Sequence, residues 1–239
     1  ARYVFLKTGA YRPEVVAFTM KAASEAKVDM LTFDGAGGGT GMSPVPMMNE
    51  MSTPTVHLQA QAMTCARVMK EKGKFIPDLV MAGGFVNETQ MFKAMALGDL
   101  GEGSLVKAIA MARAPLLTVM KSANFLRLAE TNALPSSFTA AYGSDPRTFF
   151  VAAQEIERRY PGLRLGKDIP YGAVGEYTYL VDRLGEGLKQ LMAGSRKFSL
   201  DRIRRTDIVS LTPYAEKVTG IETLENMAER VMLPMLADW

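Results

Sequence analysis

The chain has 239 residues, 48% of them hydrophobic, enough to bury a sizeable core and unlike a disordered polymer. Its net charge of +3 is small and the signs are interspersed, which excludes a nucleic-acid-binding stripe; the runs Arg202 to Arg205 and Arg158-Arg159 read as solvated helix faces. No apolar run reaches the roughly eighteen residues of a membrane span, no export signal opens the chain, and the single cysteine, Cys65, excludes an intrachain disulfide framework and an iron–sulfur cluster held by this chain alone. A reducing cytoplasm is the expected compartment.

In chain order, Tyr3 to Lys7 reads as a strand and Pro13 to Lys27 as a helix with Val16, Met20 and Ala23 on one face. Val28 to Phe33 is the second strand. Behind it, Asp34-Gly35-Ala36-Gly37-Gly38-Gly39-Thr40-Gly41-Met42-Ser43-Pro44 places five glycines in seven residues. Such a loop at a strand end lets backbone N–H groups approach an anion or a flat cofactor, and it matches neither GxGxxG nor GxxxxGK[ST]. After a Met- and Pro-rich stretch, a helix runs from about Thr55 to Lys72. Leu79 to Ala82 is the third strand, Asn87 to Leu97 a helix, and Leu105 to Met111 the fourth strand. Repeated βα units mean parallel strands with right-handed crossovers, which leaves a doubly wound sheet or a (βα)8 barrel. Four units are half a barrel. Ala1 stands almost directly before an apparent interior strand, so the expectation is a fragment, a processed product or one subunit of a split barrel.

From about Pro135 the strand alternation stops. Arg147 to Tyr160 reads as a helix stopped by Pro161-Gly162. Val174, Tyr177, Val181, Leu184, Leu188 and Leu191 form one stripe of a helix ended by Gly194, and Leu200 to Ile203 and Ile221 to Leu236 read as further helices. The expected domains are therefore residues 1–134, half of an α/β barrel, and 135–239, a helical extension. His57, the only histidine, has too few partners for a metal cluster; it is either solvent-facing or a proton donor, with Asn49 and Glu50 unassigned nearby.

Several strings carry a family resemblance. Val4-Phe5-Leu6-Lys7, Ala26-Lys27-Val28-Asp29, Asp34-Gly35, Gly38-Gly39-Thr40-Gly41-Met42-Ser43-Pro44, Asp78 to Gly84 and Met95-Ala96-Leu97-Gly98 follow in the order and spacing of the FMN-binding barrel of glutamate synthase. The segments Phe198 to Asp201 and Arg205 to Ile208 resemble the family's tail more weakly. The resemblance covers about Val4 to Pro115 and implies strands five to eight of a flavin barrel, with the site at the C-terminal strand ends. It implies Gly83, Gly84, Ala112 and Arg113 as phosphate ligands. Arg113 would add charge, and Ala112 stands where the family has glycine.

Lys7 would set its ammonium against the flavin N1/O2 edge; the alternative is a surface lysine paired with Asp29 or Glu25. Gly38, Gly39 and Thr40 would line the flavin or a 2-oxo acid, and Asp34, Gly41 and Ser43 are the substrate candidates, Asp34 being equally a loop cap. The implied reaction is reduction of the imine of ammonia and 2-oxoglutarate to L-glutamate by FMN; the alternatives are another amino-acid or 2-oxo-acid redox step, or a non-catalytic half-barrel scaffold. The amidotransferase domain and the cluster cysteines of the family have no counterpart here. Expected partners are an electron-donor protein or NAD(P)H-linked subunit and a chain or segment supplying the first half of the barrel.

Overall fold

The computed structural model describes residues 2–9, 12–38, 43–145, 152–237 and 239. Four strands, β1 (Phe5–Gly9), β2 (Met30–Asp34), β3 (Asp78–Ala82) and β4 (Val106–Ala110), form one all-parallel sheet in the order β1-β2-β3-β4. Every step moves in the same direction, so the winding does not reverse among these strands and they contain no doubly wound switch point. Between them lie α1 (Pro13–Glu25), α2 (Val45–Asn49), α3 (Thr55–Glu71) and α4 (Glu88–Leu97).

Register and side-chain alternation sort the strands into two faces. Leu31, Phe33, Leu79, Met81 and Val106 share one face and are buried to 2% exposure or less. Burial of each stabilises the sheet by about 1.5–3 kcal/mol. Val16, Met20 and Ala23 of α1 are buried as their spacing predicts, and α1 packs beside α3, whose Leu58, Ala62, Met63 and Ala66 are buried too. Lys7, Thr32, Asp34, Val80, Ala82, Ala108 and Ala110 occupy the opposite face. β1 is an edge, with Phe5 and Leu6 both exposed.

Contacts divide the chain into two units, one reaching to Phe85 and including Thr89–Ala110 and Leu191–Trp239, the other made of Val86–Glu88 and Met111–Gln190. This differs from a cut after residue 134. The helix α5 (Arg113–Glu130) packs on α8 (Tyr171–Tyr177), where Gly172 leaves room for Val119, while the tail from Leu191 returns to the sheet unit. The second unit also contains α6 (Ser136–Tyr142) and α7 (Ala152–Arg159); the start of the helix expected from Arg147 lies outside the described residues. Its core centres on Val174, packed by Ile156, Leu165, Ile169, Tyr171 and Tyr177.

The long helix expected through Val174 to Leu191 is one path in three pieces: α8, a π-helical stretch Thr178–Gly185, and α9 (Glu186–Gly194). A π-turn is wider than an α-turn, so a stripe drawn at α-helical spacing drifts off the buried side. Val174 and Leu184 are buried, whereas Val181 is exposed. The tail carries two 3-10 turns, Leu200–Arg202 and Arg205–Asp207, then α10 (Pro213–Thr219) and α11 (Leu224–Ala237). The helix expected over Leu200 to Ile203 is thus a single 3-10 turn.

The π stretch also leaves Asp182 Oδ2 buried with no hydrogen-bond partner among the described residues. Burial, reinforced by Glu155 and Glu186, pushes the Asp182 pKa up. A carboxyl raised in the folded state stabilises the fold below its ordinary range, and that contribution is lost as pH rises through the raised value. Asp182→Asn is therefore expected to raise the melting temperature at pH 7, with the gain vanishing below about pH 4. Calorimetry at both pH values measures it; an unchanged or lowered melting temperature at pH 7 contradicts the account.

Candidate functional site

The site begins at the C-terminal ends of β2 and β3, where two backbones meet without side chains between them. A Cβ on Gly83 would lie 2.6 Å from Gly35 O and 2.8 Å from Gly35 N, and one on Gly35 would lie 2.7 Å from Thr55 Cα. Thr55, the first residue of α3, donates its hydroxyl to Gly83 O at 2.8 Å, and Gly35 N donates to Ala82 O at 2.9 Å. These contacts lock the first turn of the glycine loop and the Gly83-Gly84 turn together. Gly83 and Gly84 have φ of +101° and +77°, a region that disfavours any side chain.

Asp34 and Lys7 stand on the sheet face opposite the helices. Lys7 is the middle residue of β1, since the strand runs two residues further than expected, and its Nζ reaches Asp34 Oδ2 at 2.8 Å. The alternative partners are engaged elsewhere: Asp29 Oδ2 accepts from Val4 N at 2.7 Å, and Glu25 lies 3.9 Å from Lys21. The Asp34 side chain is 6% exposed and that of Lys7 51%. A carboxylate so enclosed needs a charged partner, while the ammonium keeps part of its surface open to whatever occupies this face. Gly38 lies against the same carboxylate, because a Cβ there would collide with Asp34 Oδ1. Asp34, Lys7 and Gly38 thus form one cluster.

The glycine loop spends its first donors on carbonyls of the protein. Ala36 N donates to Thr53 O at 2.8 Å, Gly37 N to Met48 O at 3.0 Å and Gly38 N to Gly35 O at 2.8 Å. With Gly35 already bound to Ala82, these four N–H groups hold the loop's path and are not offered to an anion. Gly39, Thr40 and Gly41 lie outside the described residues, and Ser43 follows them, half-buried, just before Pro44 caps α2. Ala112 and Arg113 are both exposed, at the N-cap and first residue of α5; they belong to the second unit, whereas Gly83 and Gly84 belong to the first. His57 is half-buried in α3, its ring 6.0 Å from that of Tyr214. Cys65 shares a surface cavity with His57, and burial raises its thiol pKa, opposite to the shift of a reactive thiolate.

Sequence reasoning missed two features. Thr55 has no motif to mark it, since its role depends on Gly83. Arg205, read as part of a solvated basic run, is instead a half-buried clamp: its guanidinium donates to Leu97 O at 3.0 Å and Thr219 O at 2.6 Å, and its N–H donates to Asp99 Oδ2 at 3.4 Å. Asp99, 4% exposed, also accepts from Gly101 N and Gly103 N. Burial, and next the neighbouring Arg67, lower the Arg205 pKa, and Asp99 opposes them. The clamp ties the tail to the end of α4. Between α3, α4 and the tail lies a cavity of about 300 Å³, lined in part by Thr55, Gly83, Gly84, Lys93 and Thr219.

Fold and site define an α/β segment of singly wound parallel strands whose polar cluster sits near the C-terminal strand ends. Residues 3–116 match the family model described as the conserved region in glutamate synthase. The match runs from the approach to β1 into the first turn of α5, just under half of the chain. No curated protein matches the chain significantly. Among the described residues, no group of three or more His, Cys, Asp or Glu is placed to hold a metal ion, and no helix is long and apolar enough to cross a membrane.

The Gly35–Gly83 contact sets a graded expectation. Gly83→Ala incurs both the positive-φ cost of about 1–2 kcal/mol and backbone overpacking of about 1–3 kcal/mol. Gly84→Ala incurs only the first, because its nearest neighbour is Ala36 O at 3.9 Å. Urea denaturation of the two variants measures the difference; equal losses would show that the Gly35 contact carries no constraint.

Proposed function

We propose that this chain supplies the C-terminal half of a flavin barrel and serves an FMN-dependent oxidoreductase of glutamate synthase type, forming L-glutamate from ammonia and 2-oxoglutarate through their imine. The observation that carries the reading is the Lys7–Asp34 pair, a half-exposed cation fixed on the sheet face opposite the helices, in register with Thr32 and with Val80, which precedes the Gly83-Gly84 turn. The family match over residues 3–116 supports it. The unbroken strand order with an exposed β1 edge suits half of a closed barrel whose other strands come from another segment or chain.

The residues fit FMN. FMN, when bound, supplies the hydride that reduces the imine carbon. Lys7 holds positive charge against the flavin N1/O2 edge, and Asp34 orients it while leaving two of its three N–H donors for other acceptors. Gly83 and Gly84, with no side chains, leave backbone open to the phosphate, and Ala112 and Arg113 at the start of α5 are the further phosphate candidates by resemblance. Gly38, Gly39 and Thr40 are the candidates that would border the cofactor. Gly41 and Ser43 are the candidates to contact the 2-oxo acid, with Asp34 acting on it through the Lys7 cation that it orients. Electrons would arrive from a donor protein or NAD(P)H-linked subunit, a single cysteine being too few for an iron–sulfur cluster held by this chain alone. A reducing cytoplasm suits the lone cysteine.

The test begins with the visible spectrum of the purified protein in its native assembly and mass spectrometry of any released chromophore. Bound FMN is expected; a colourless protein that takes up no added FMN leaves the scaffold reading. In the flavin-loaded protein, Lys7→Met should slow flavin reduction by the about 10²–10³-fold typical of losing one preorganised electrostatic contact. Its midpoint potential should also become more negative, by about 30 mV if the charge is worth about 1.4 kcal/mol. Unchanged rate and potential would remove Lys7 from the site.

A further inference from the structure

The cavity between α3, α4 and the tail has a composition that the flavin reading does not use. Gly83 and Gly84 line it from the turn side, but Lys7, Asp34 and Gly38 do not line it. Its walls are Phe85, Ala94 and Leu97 on one side and the tail's Ile208, Leu211 and Ile221 on the other. Lys93 is the one charged residue in the lining, and no carboxylate accompanies it. Lys93 itself is exposed and has no ion-pair partner among the described residues, so its ammonium stands at the solvent side of an apolar chamber.

Arg205 does not add charge to this chamber. Its guanidinium is committed to the carbonyls of Leu97 and Thr219, two lining residues on opposite walls, and so fixes the width of the cavity. The volume of about 300 Å³ is that of a small-molecule pocket, too small for a protein segment with side chains and larger than a packing defect. Apolar walls with one cation at the rim complement an apolar body bearing one negative charge.

We propose that this cavity is a second ligand site, separate from the strand-end cluster, and that it takes a small amphipathic anion: an aryl or alkyl body with one carboxylate, the body among Phe85, Ala94 and Leu97 and the charge at Lys93. The cavity shares the Gly83-Gly84 turn with the flavin reading, but the residues assigned here to the body and the charge, Phe85, Ala94, Leu97 and Lys93, have no part in that reading, and the test involves no turnover.

Two probes of one aromatic body separate the contributions: 1-anilinonaphthalene-8-sulfonate, an anion, and N-phenyl-1-naphthylamine, its neutral counterpart. The full chain is expected to bind one equivalent of either with enhanced fluorescence. Lys93→Gln should weaken the sulfonate probe about tenfold, the equivalent of about 1.4 kcal/mol, and leave the neutral probe unchanged. Ala94→Phe and Ala215→Phe, which fill the cavity from opposite walls, should each abolish binding of both, with circular dichroism showing which filler keeps the fold. No binding by the unsubstituted chain overturns the proposal. So does binding that survives a folded filler, which would place the probe on exposed apolar surface such as α11. If neither filler folds, the lysine variant decides: equal effects on the two probes, or none, overturn the assignment of Lys93.

Discussion

Gly35 and Gly83 bring the ends of β2 and β3 to backbone contact, and most of what the first unit displays depends on that approach. Because no side chain intervenes, Thr55 can reach across to Gly83 O, which fixes the start of α3 relative to the β3 end. The path of the glycine loop follows from the same contact, its first four N–H groups being absorbed by nearby carbonyls. A side chain at either glycine would push the loop off Asp34 and alter the face on which Lys7 stands. The glycines are therefore needed for space first and for ligand approach second.

The Lys7–Asp34 pair shows how burial asymmetry shapes a site. Asp34 is enclosed, so removing Lys7 takes a counter-charge away from a buried carboxylate, whereas Lys7 is half open and its loss of solvation is small. The pair contributes little as a surface ion pair would. Its value is geometric: it holds a half-exposed cation on the sheet face opposite the helices.

The tail is anchored by polar contacts at buried positions. Asp99 gathers two loop N–H groups and the Arg205 N–H, and the Arg205 guanidinium ties Leu97 O to Thr219 O, so three chain segments share two side chains. Ser210 N donates to Glu222 O and Leu224 N to Ser210 O, extending the same attachment. Stapling of this kind holds a wall in place without filling the space behind it, and the cavity is the result.

The alternation of strands and helices, their parallel direction and the buried face of α1 were legible in the sequence, because each follows from periodicity within a few residues. The glycine loop was legible for the same reason, and the family resemblance of residues 4–115 rests on local strings that survive without three-dimensional context. Element ends were less so: β1 extends past Lys7 to Gly9 because its pairing with β2 continues to Asp34, a contact made by residues twenty-five apart. The partner of Lys7, the buried role of Arg205, the π stretch that breaks the Val174 to Leu191 stripe and the placement of α5 with the later helices rest on tertiary structure alone. Each is settled by which distant group competes best for a charge, a carbonyl or a buried surface, and linear spacing carries no record of that competition.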